Sequence, residues 1–262
     1  MTYAIEVSQK KGVVANETLE KEMEFLLFTL SHDMRAPFIT LCGFVDELTY
    51  TLNDLVAIAD DAVPHLSVEQ QQQLLDTVDE LPEIKRFIDQ SVNQLDTFLQ
   101  DLLKLSRTGR RILQHETLNV DAIVERVIQS LQPTIAEVDA HITHGSLESC
   151  KGDPEAIAEI FECVLLNALQ YRATDRPCQI NITSNVDEDL ITYSIEDNGR
   201  GVSGDEQGKI FEPFYRAGKR DIPGHGMGLA YVRTLVRLHS GSVTCTSILD
   251  EGMTISICLP GA

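Results

Sequence analysis

Two apolar stripes, each repeated over many helical turns, most constrain what this chain can become. The first runs through Leu19, Met23, Leu26 and Leu30, then Leu41, Phe44, Leu48, Leu52 and Leu55. The second runs through Leu74, Val78, Leu81, Ile84, Ile88, Val92, Leu95, Leu99 and Leu102. Steps of three and four residues place each set on one helix face. Between them Val63-Pro64-His65-Leu66-Ser67 interrupts the pattern. Ser67 with Gln70 reads as a capping box opening the second helix, which is predicted to end near Thr108-Gly109. Each helix spans roughly 40 residues, about 60 Å. Two such helices cannot bury their stripes alone, so an antiparallel hairpin with a continuous seam predicts a four-helix bundle and hence a homodimer. The plain alternative is a coiled-coil spacer without chemistry. Pro37 and Pro82 each remove an amide donor and are expected to bend their helices, Pro37 at Asp33 beside His32.

A length of 262 residues is comfortable for two domains, and 43% hydrophobic residues suffice for real cores. A net charge of −20 argues against a nucleic-acid footprint, which needs a basic face, and against adsorption to anionic lipid. The six cysteines (Cys42, Cys150, Cys163, Cys178, Cys245 and Cys258) form no CxxC pair and show no metal-ligand spacing. They are expected to be unpaired small hydrophobes in a reducing compartment. The longest uncharged stretch near the N-terminus, Phe25 to His32, is far too short to cross a bilayer, and no basic segment precedes a signal-like core. The chain is therefore expected to be soluble and cytoplasmic, with any membrane-borne sensor a partner or a part lying outside it.

Residues 1–16 have no period and are expected to be a flexible lead-in, with 17–108 as the helical domain, 109–114 as linker and 115–262 as a second domain. In that second domain Asn119 is a cap for a helix to about Leu131, and Asp153-Pro154 caps one to about Tyr171. Ile180-Asn181-Ile182-Thr183 and Ile191-Thr192-Tyr193-Ser194-Ile195 alternate as strands around the turn Asp187-Glu188-Asp189. A helix after Gly228 and a last hairpin, Ser242–Ile248 with Thr254–Leu259, complete a two-layer α/β sandwich.

Four short motifs stand out. Ser31-His32-Asp33-Met34-Arg35-Ala36-Pro37 lies on the first helix. A neutral histidine is a nucleophile, and an acid beside it can take the proton from one ring nitrogen while the other attacks; taken alone, the pair also fits an exposed helical histidine. Asn167 lies in Cys163-Val164-Leu165-Leu166-Asn167-Ala168-Leu169-Gln170-Tyr171, where an amide oxygen can ligate Mg²⁺. Asp197-Asn198-Gly199-Arg200-Gly201 follows a strand predicted to end at Glu196; alone it reads as an ordinary turn. Gly224-His225-Gly226-Met227-Gly228-Leu229 opens a helix, whose free amides and dipole favour phosphate. It is neither a Walker loop nor a Rossmann fingerprint. Arg200, Lys209, Arg216, Lys219 and Arg220 make a basic cluster in an acidic chain, as expected over an anionic ligand.

In that order, over roughly residues 17 to 260, these motifs resemble the sensor histidine kinases of two-component signalling. The resemblance implies an α+β chain: a dimeric helical hairpin followed by an α/β sandwich ATP-binding domain of the Bergerat type. It implies that His32 is the phospho-acceptor with Asp33 as its acid, and that Asp197 accepts a hydrogen bond from the exocyclic amine of adenine. Gly199 and Gly201 would let backbone approach the ring, and Tyr171 would pack against it. Gly224, Gly226, Gly228 and Leu229 would form the phosphate loop, Asn167 would hold Mg²⁺, and Ile210-Phe211-Glu212-Pro213-Phe214-Tyr215-Arg216 resembles the lid, with Arg216 toward the γ-phosphate. Gly252-Met253-Thr254 resembles the last glycine box. The short lid and the Asn167–Arg172 wording resemble phytochrome-type kinases.

The resemblance further implies an ATP-dependent kinase that autophosphorylates His32 and passes the phosphoryl group to an aspartate of a response-regulator receiver domain. Two departures favour a rival. The family pattern has an Asn where Cys163 stands and a Lys or Arg where Gln170 stands. Arg172 is displaced by about 100° on a helix and is an imperfect substitute. A phosphorelay protein with a weakened nucleotide site is thus the alternative. An ATP-gated clamp of the same superfamily would need a Glu at the position of Cys163. Ala36 occupies the place where relatives carry the Thr or Asn that orients water for dephosphorylating the regulator, so kinase-dominant behaviour is expected.

Overall fold

The computed structural model describes residues 34, 37–59, 62–109, 111–218 and 224–262. They divide into two compact units, with the boundary between Ser106 and Arg107. The expected lead-in over residues 1–16, the start of the first stripe (Leu19 to Leu30) and His32, Asp33 and Ala36 lie outside the described residues.

The first unit is a helical hairpin. Helix α1 covers residues 37–59, a 3-10 turn covers Val63–His65, and helix α2 covers Val68–Thr108, 41 residues. The predicted capping box is present: the Ser67 amide donates to Gln70 Oε1 at 3.1 Å, and the Gln70 amide to Ser67 Oγ at 3.4 Å. Gln71 Nε2 donates to the carbonyls of Val63 and Leu66 and so pins the turn to α2. Phe38 and Cys42 near the start of α1 share a groove with Val92, Leu99 and Leu103 late in α2, as antiparallel helices require. Pro82 lies within α2, which continues through it. Phe44, Leu48, Leu55, Ile84 and Phe87 stay exposed, so one hairpin leaves much of its apolar seam uncovered. Among the described residues no helix is long and apolar enough to cross a membrane.

The second unit is the sandwich. Strands β1 (Glu116–Leu118) and β3 (Cys150–Gly152) pair antiparallel in a small ribbon. The main sheet has the order β2-β4-β5-β7-β6. It comprises β2 (His141–His144), β4 (Gln179–Asp187), β5 (Leu190–Asp197), β6 (Ser242–Ile248) and β7 (Gly252–Pro260). Only the β2–β4 pair is parallel, so the sheet is mixed. The helices are α3 (Val120–Ser130), α4 (Gln132–Glu137), α5 (Pro154–Gln170) and α6 (Gly228–Leu238).

Strand alternation explains the layering. Ile180, Ile182, Ile191, Tyr193, Ile195, Ile255 and Ile257 are buried on one sheet face, together with Ile157, Ile160, Phe161, Leu165, Val232 and Leu235 of α5 and α6. Each such side chain contributes about 1.5–3 kcal/mol by leaving water. The opposite face carries Ser and Thr, with Ser194 Oγ 3.4 Å from Ser256 Oγ. Asn119 caps α3 through the Ala122 amide, and Asp153 caps α5 through those of Glu155 and Ala156, as their positions predicted. The structure adds four short elements that had no pattern of their own, β1, β2, β3 and α4. It also extends β5 by one residue, so that Asp197 rather than Glu196 ends the strand.

Candidate nucleotide site

Five segments converge on one cavity of about 450 Å³ at the carboxyl end of α5. Asn167 and Tyr171 come from α5 and its cap, where the Tyr171 amide donates to the Asn167 carbonyl at 2.9 Å. Asp197 ends β5, and Arg200, Gly201 and Val202 follow it. The turn before β7 brings Leu249, Asp250 and Met253. A segment after the loop supplies Glu206, Ile210, Tyr215, Arg216, Ala217 and Gly218, and the start of α6 supplies Gly226, Gly228 and Leu229.

Close backbone packing builds the Asp197 end. The Gly199 amide donates to Asp197 Oδ1 at 2.8 Å, and the Met253 amide also donates to this carboxylate. A Cβ on Gly199 would stand 2.7 Å from the Tyr171 carbonyl oxygen, which accepts from the Arg200 amide at 3.0 Å. Gly201 has φ +60°, and a Cβ there would stand 2.1 Å from the Ile248 carbonyl oxygen, so the loop passes against the β6–β7 turn. Burial pushes the Asp197 carboxyl up to about 6; the two amide donors act against it and Glu196 adds to it. A desolvated carboxylate on an apolar wall of Val202, Ile210, Leu229 and Met253 is a specific acceptor for an N–H of a flat ring.

The rest of the lining comes from the lid and α6. Gly226 has φ +70°, and a Cβ on it would lie 2.4 Å from the Tyr215 carbonyl oxygen; its own carbonyl accepts from the Phe214 amide. Glu206 fastens this stretch, for its carboxylate accepts from Ser203 Oγ at 2.6 Å, Tyr215 Oη at 3.2 Å and the Gly218 amide at 3.3 Å. The Ser203 hydroxyl is the chief group holding it below the usual carboxylate range. Gly228 begins α6, so the helix N-terminus and Arg216 face the same space.

Of the residues expected at the site, Asn167, Tyr171, Asp197, Gly201, Arg216, Gly226, Gly228 and Leu229 line the cavity. Gly199 stands behind Asp197, and Gly224, at φ +139°, is not among the lining residues. His32 and Asp33 lie outside the described residues, as do Lys219 and Arg220 of the basic cluster. Gln170 is the exposed last residue of α5, and Arg172 Nη1 turns back to the Leu169 carbonyl at 3.1 Å instead of lining the cavity. Glu206, Leu249 and Asp250 carried no sequence signal.

The donors fit a nucleotide: apolar side chains with one buried carboxylate, together with arginine and a helix N-terminus, line the same cavity. Asn167 can offer one oxygen to a hard cation such as Mg²⁺, which keeps most of its shell as water and phosphate.

Comparison with known proteins agrees. Residues 152–262 match the family described as histidine kinase-, DNA gyrase B- and HSP90-like ATPase. Cyanobacterial phytochrome A of Nostoc sp. (strain PCC 7120) is 27% identical over 235 residues, 89% of this chain and 30% of that protein. The sensor protein kinase WalK of Staphylococcus epidermidis is 23% identical over 252 residues, 95% of this chain and 38% of that protein. The chain thus spans about a third of the length of these curated relatives. Full-length ShkA, solved with AMPPNP, shares the fold with a TM-score of 0.59 at 22% identity, over 90% of this chain and 45% of that one. Fold and site together define a histidine kinase-type ATPase unit preceded by a helical hairpin. Residues 152–262 match that ATPase family, and the chain as a whole is similar to sensor histidine kinases, a cyanobacterial phytochrome among them.

Proposed function

We propose that this chain is an ATP-dependent protein-histidine kinase that acts in the cytoplasm as a homodimer. The supporting observation is the convergence of Asn167, Asp197, Arg216 and the α6 N-terminus on one cavity. Asp197 accepts the adenine amine, while Arg216 and the amides around Gly228 take the phosphates. Magnesium, when bound, neutralises charge on the phosphate oxygens, and Asn167 supplies it an oxygen. A ring nitrogen of neutral His32 bonds to the γ-phosphorus as the bond to the departing ADP oxygen breaks, and Asp33 takes the proton from the other ring nitrogen. The phosphoryl group then passes to an aspartate of a response-regulator receiver domain. Most of the rate in such a transfer comes from positioning and charge neutralisation. The exposed apolar residues of α1 and α2 support the dimer, since a second hairpin would cover them. An upstream sensor protein fits the family and would supply the signal.

A second reading keeps His32 as acceptor of phosphate from a receiver domain and makes the nucleotide unit weak. The exposed Gln170 and the inward turn of Arg172 favour it, because neither side chain lines the cavity. Incubation with γ-phosphate-labelled ATP separates the readings. The kinase gives acid-labile label on the protein that His32→Ala abolishes while ATP binding survives. The relay gives no label from ATP, and release of free phosphate without protein label would point to a clamp ATPase.

A further inference from the structure

Arg176 lies in the loop between α5 and β4, half-buried and outside the cavity. Its Nε donates to the Asn198 carbonyl at 2.8 Å, and its Nη2 donates to the Gly199 carbonyl at 2.8 Å and to the Asp250 carbonyl. These three acceptors belong to two separate segments. Asn198 and Gly199 follow Asp197 at the end of β5, and Asp250 sits in the β6–β7 turn. Both segments wall the cavity, through Asp197, Arg200 and Gly201 on one side and Leu249 and Asp250 on the other. Loop carbonyls of this kind have no strand or helix partner, and a planar guanidinium is the side chain that can serve several at once.

The neighbours of Arg176 reinforce this grip. Asn198 exchanges hydrogen bonds with Gln179 twice, amide to carbonyl at 3.2 Å and Oδ1 from the Gln179 amide at 2.9 Å, and its Nδ2 donates to the Pro177 carbonyl at 2.9 Å. Residues 176–179 thus hold the loop that carries Asp197 from behind. The groups that set the Asp197 carboxyl are its burial, the Gly199 and Met253 amides and Glu196, with no contribution from Arg176. Arg176 therefore acts on that carboxylate through main-chain geometry and not as its counter-ion.

We propose that Arg176 is the positioning residue for base selectivity: by tying the Asn198-Gly199 loop to the Asp250 turn, it holds Asp197 where it accepts the amine of adenine. This rests on the nucleotide reading of the cavity given above. A loop freed from that tie still admits a nucleotide, since Arg216 and the α6 N-terminus come from segments that Arg176 does not touch. What it loses is the difference between adenine and a base that offers a carbonyl at the same edge.

Calorimetry of the full chain with ATP and with GTP tests this. The wild type is expected to prefer ATP. Arg176→Ala is expected to weaken ATP binding by roughly tenfold, the worth of a charge-assisted contact, and to leave GTP binding within about twofold. Arg176→Lys should behave like Arg176→Ala, because one ammonium cannot span the three carbonyls. Millimolar guanidinium should restore ATP affinity to the Arg176→Ala protein where methylammonium does not, a rescue that general loss of stability would not give. Equal loss of ATP and GTP affinity, or an ATP preference that survives Arg176→Ala, overturns the proposal while the nucleotide reading stands. A wild type that binds ATP and GTP alike overturns the adenine role of Asp197 and this proposal with it. Where Arg176→Ala does not fold, Arg176→Lys carries the test, and an unchanged ATP preference in it overturns the proposal.

Discussion

The main-chain amide of Asp153 donates to Nε2 of His239 at 3.0 Å, across 86 residues of sequence. The other ring nitrogen, Nδ1, faces the Leu235 carbonyl at 2.8 Å. The ring is therefore the neutral tautomer with its proton on Nδ1, joining the end of α6 to the cap of α5. Gly152 leaves room for the contact, since a Cβ there would crowd the imidazole at 3.0 Å. Asp153 also accepts from the Gln114 amide and from Arg111, which bridges in turn to Glu155 and Glu159.

Burial holds the His239 imidazole below its ordinary range, so the unfolded chain binds a proton near pH 6.5 before the folded one does. The stability contributed by the neutral ring is present above about pH 6.5 and is lost as the pH falls below it. The unfolding free energy of the wild type should decline from pH 7 to 6 by up to about 0.7 kcal/mol more than that of His239→Gln, half the limiting slope because the unfolded ring titrates in the middle of that window. Parallel curves for the two proteins would show that His239 does not titrate with unfolding.

Asp197 has the opposite sign. Its carboxyl is raised to about 6, so the stability it contributes is full below about pH 4 and is lost as the pH rises through about 6. Adenine recognition, on the proposed reading, uses the ionised form. ATP affinity should therefore drop as the pH falls through about 6, and Asp197→Asn should show no such drop and a poorer choice between ATP and GTP. GTP shares the titration of the phosphates and serves as the reference. An ATP/GTP affinity ratio that is flat from pH 7.5 to 5 in the wild type would refute this role.

Gly252 begins β7 at φ +146°, and a Cβ on it would stand 2.1 Å from the Asp197 carbonyl oxygen. Gly252→Ala combines backbone strain with that clash and is expected to cost roughly 2–4 kcal/mol. Thermal unfolding measures the loss, and ATP binding by the surviving folded protein should weaken because Asp197 is displaced. A variant as stable as the wild type would mean that the strand start accommodates a side chain.

Gln170→Lys should strengthen ATP binding by about 0.5–3 kcal/mol if the ammonium reaches a phosphate. Gln170 is exposed at the last position of α5, and Arg172, its nearest basic neighbour, is occupied with the Leu169 carbonyl. A lysine there also suits the helix C-terminus. Calorimetry showing no gain would mean that the added charge stays in solvent and that the phosphates are held by Arg216 and α6 alone.

Local rules accounted for what could be read along the chain. Ser67 with Gln70, Asn119 with Ala122 and Asp153 with Ala156 are contacts over three residues, so composition and spacing suffice to place them. Strand alternation over Ile180–Ile182 and Ile191–Ile195 needs only a period of two, and the apolar stripes only a period near 3.6. The glycine motifs together with the Asn167 and lid segments marked most of the residues that line the cavity. The rest depended on distance in sequence. Arg176 meets carbonyls 22, 23 and 74 residues away, and nothing around it signals that role. The sequence left open whether Arg172 takes the place of a basic residue at 170; the fold turns it to the Leu169 carbonyl, where a cation meets the negative end of α5. Sequence alone thus determined the apolar helical stripes, the longer helices and strands and the acidic, glycine-rich motifs, because these follow from near neighbours. The tertiary structure decided which of those side chains share one cavity, because loop carbonyls and buried charges find their partners only when distant segments pack.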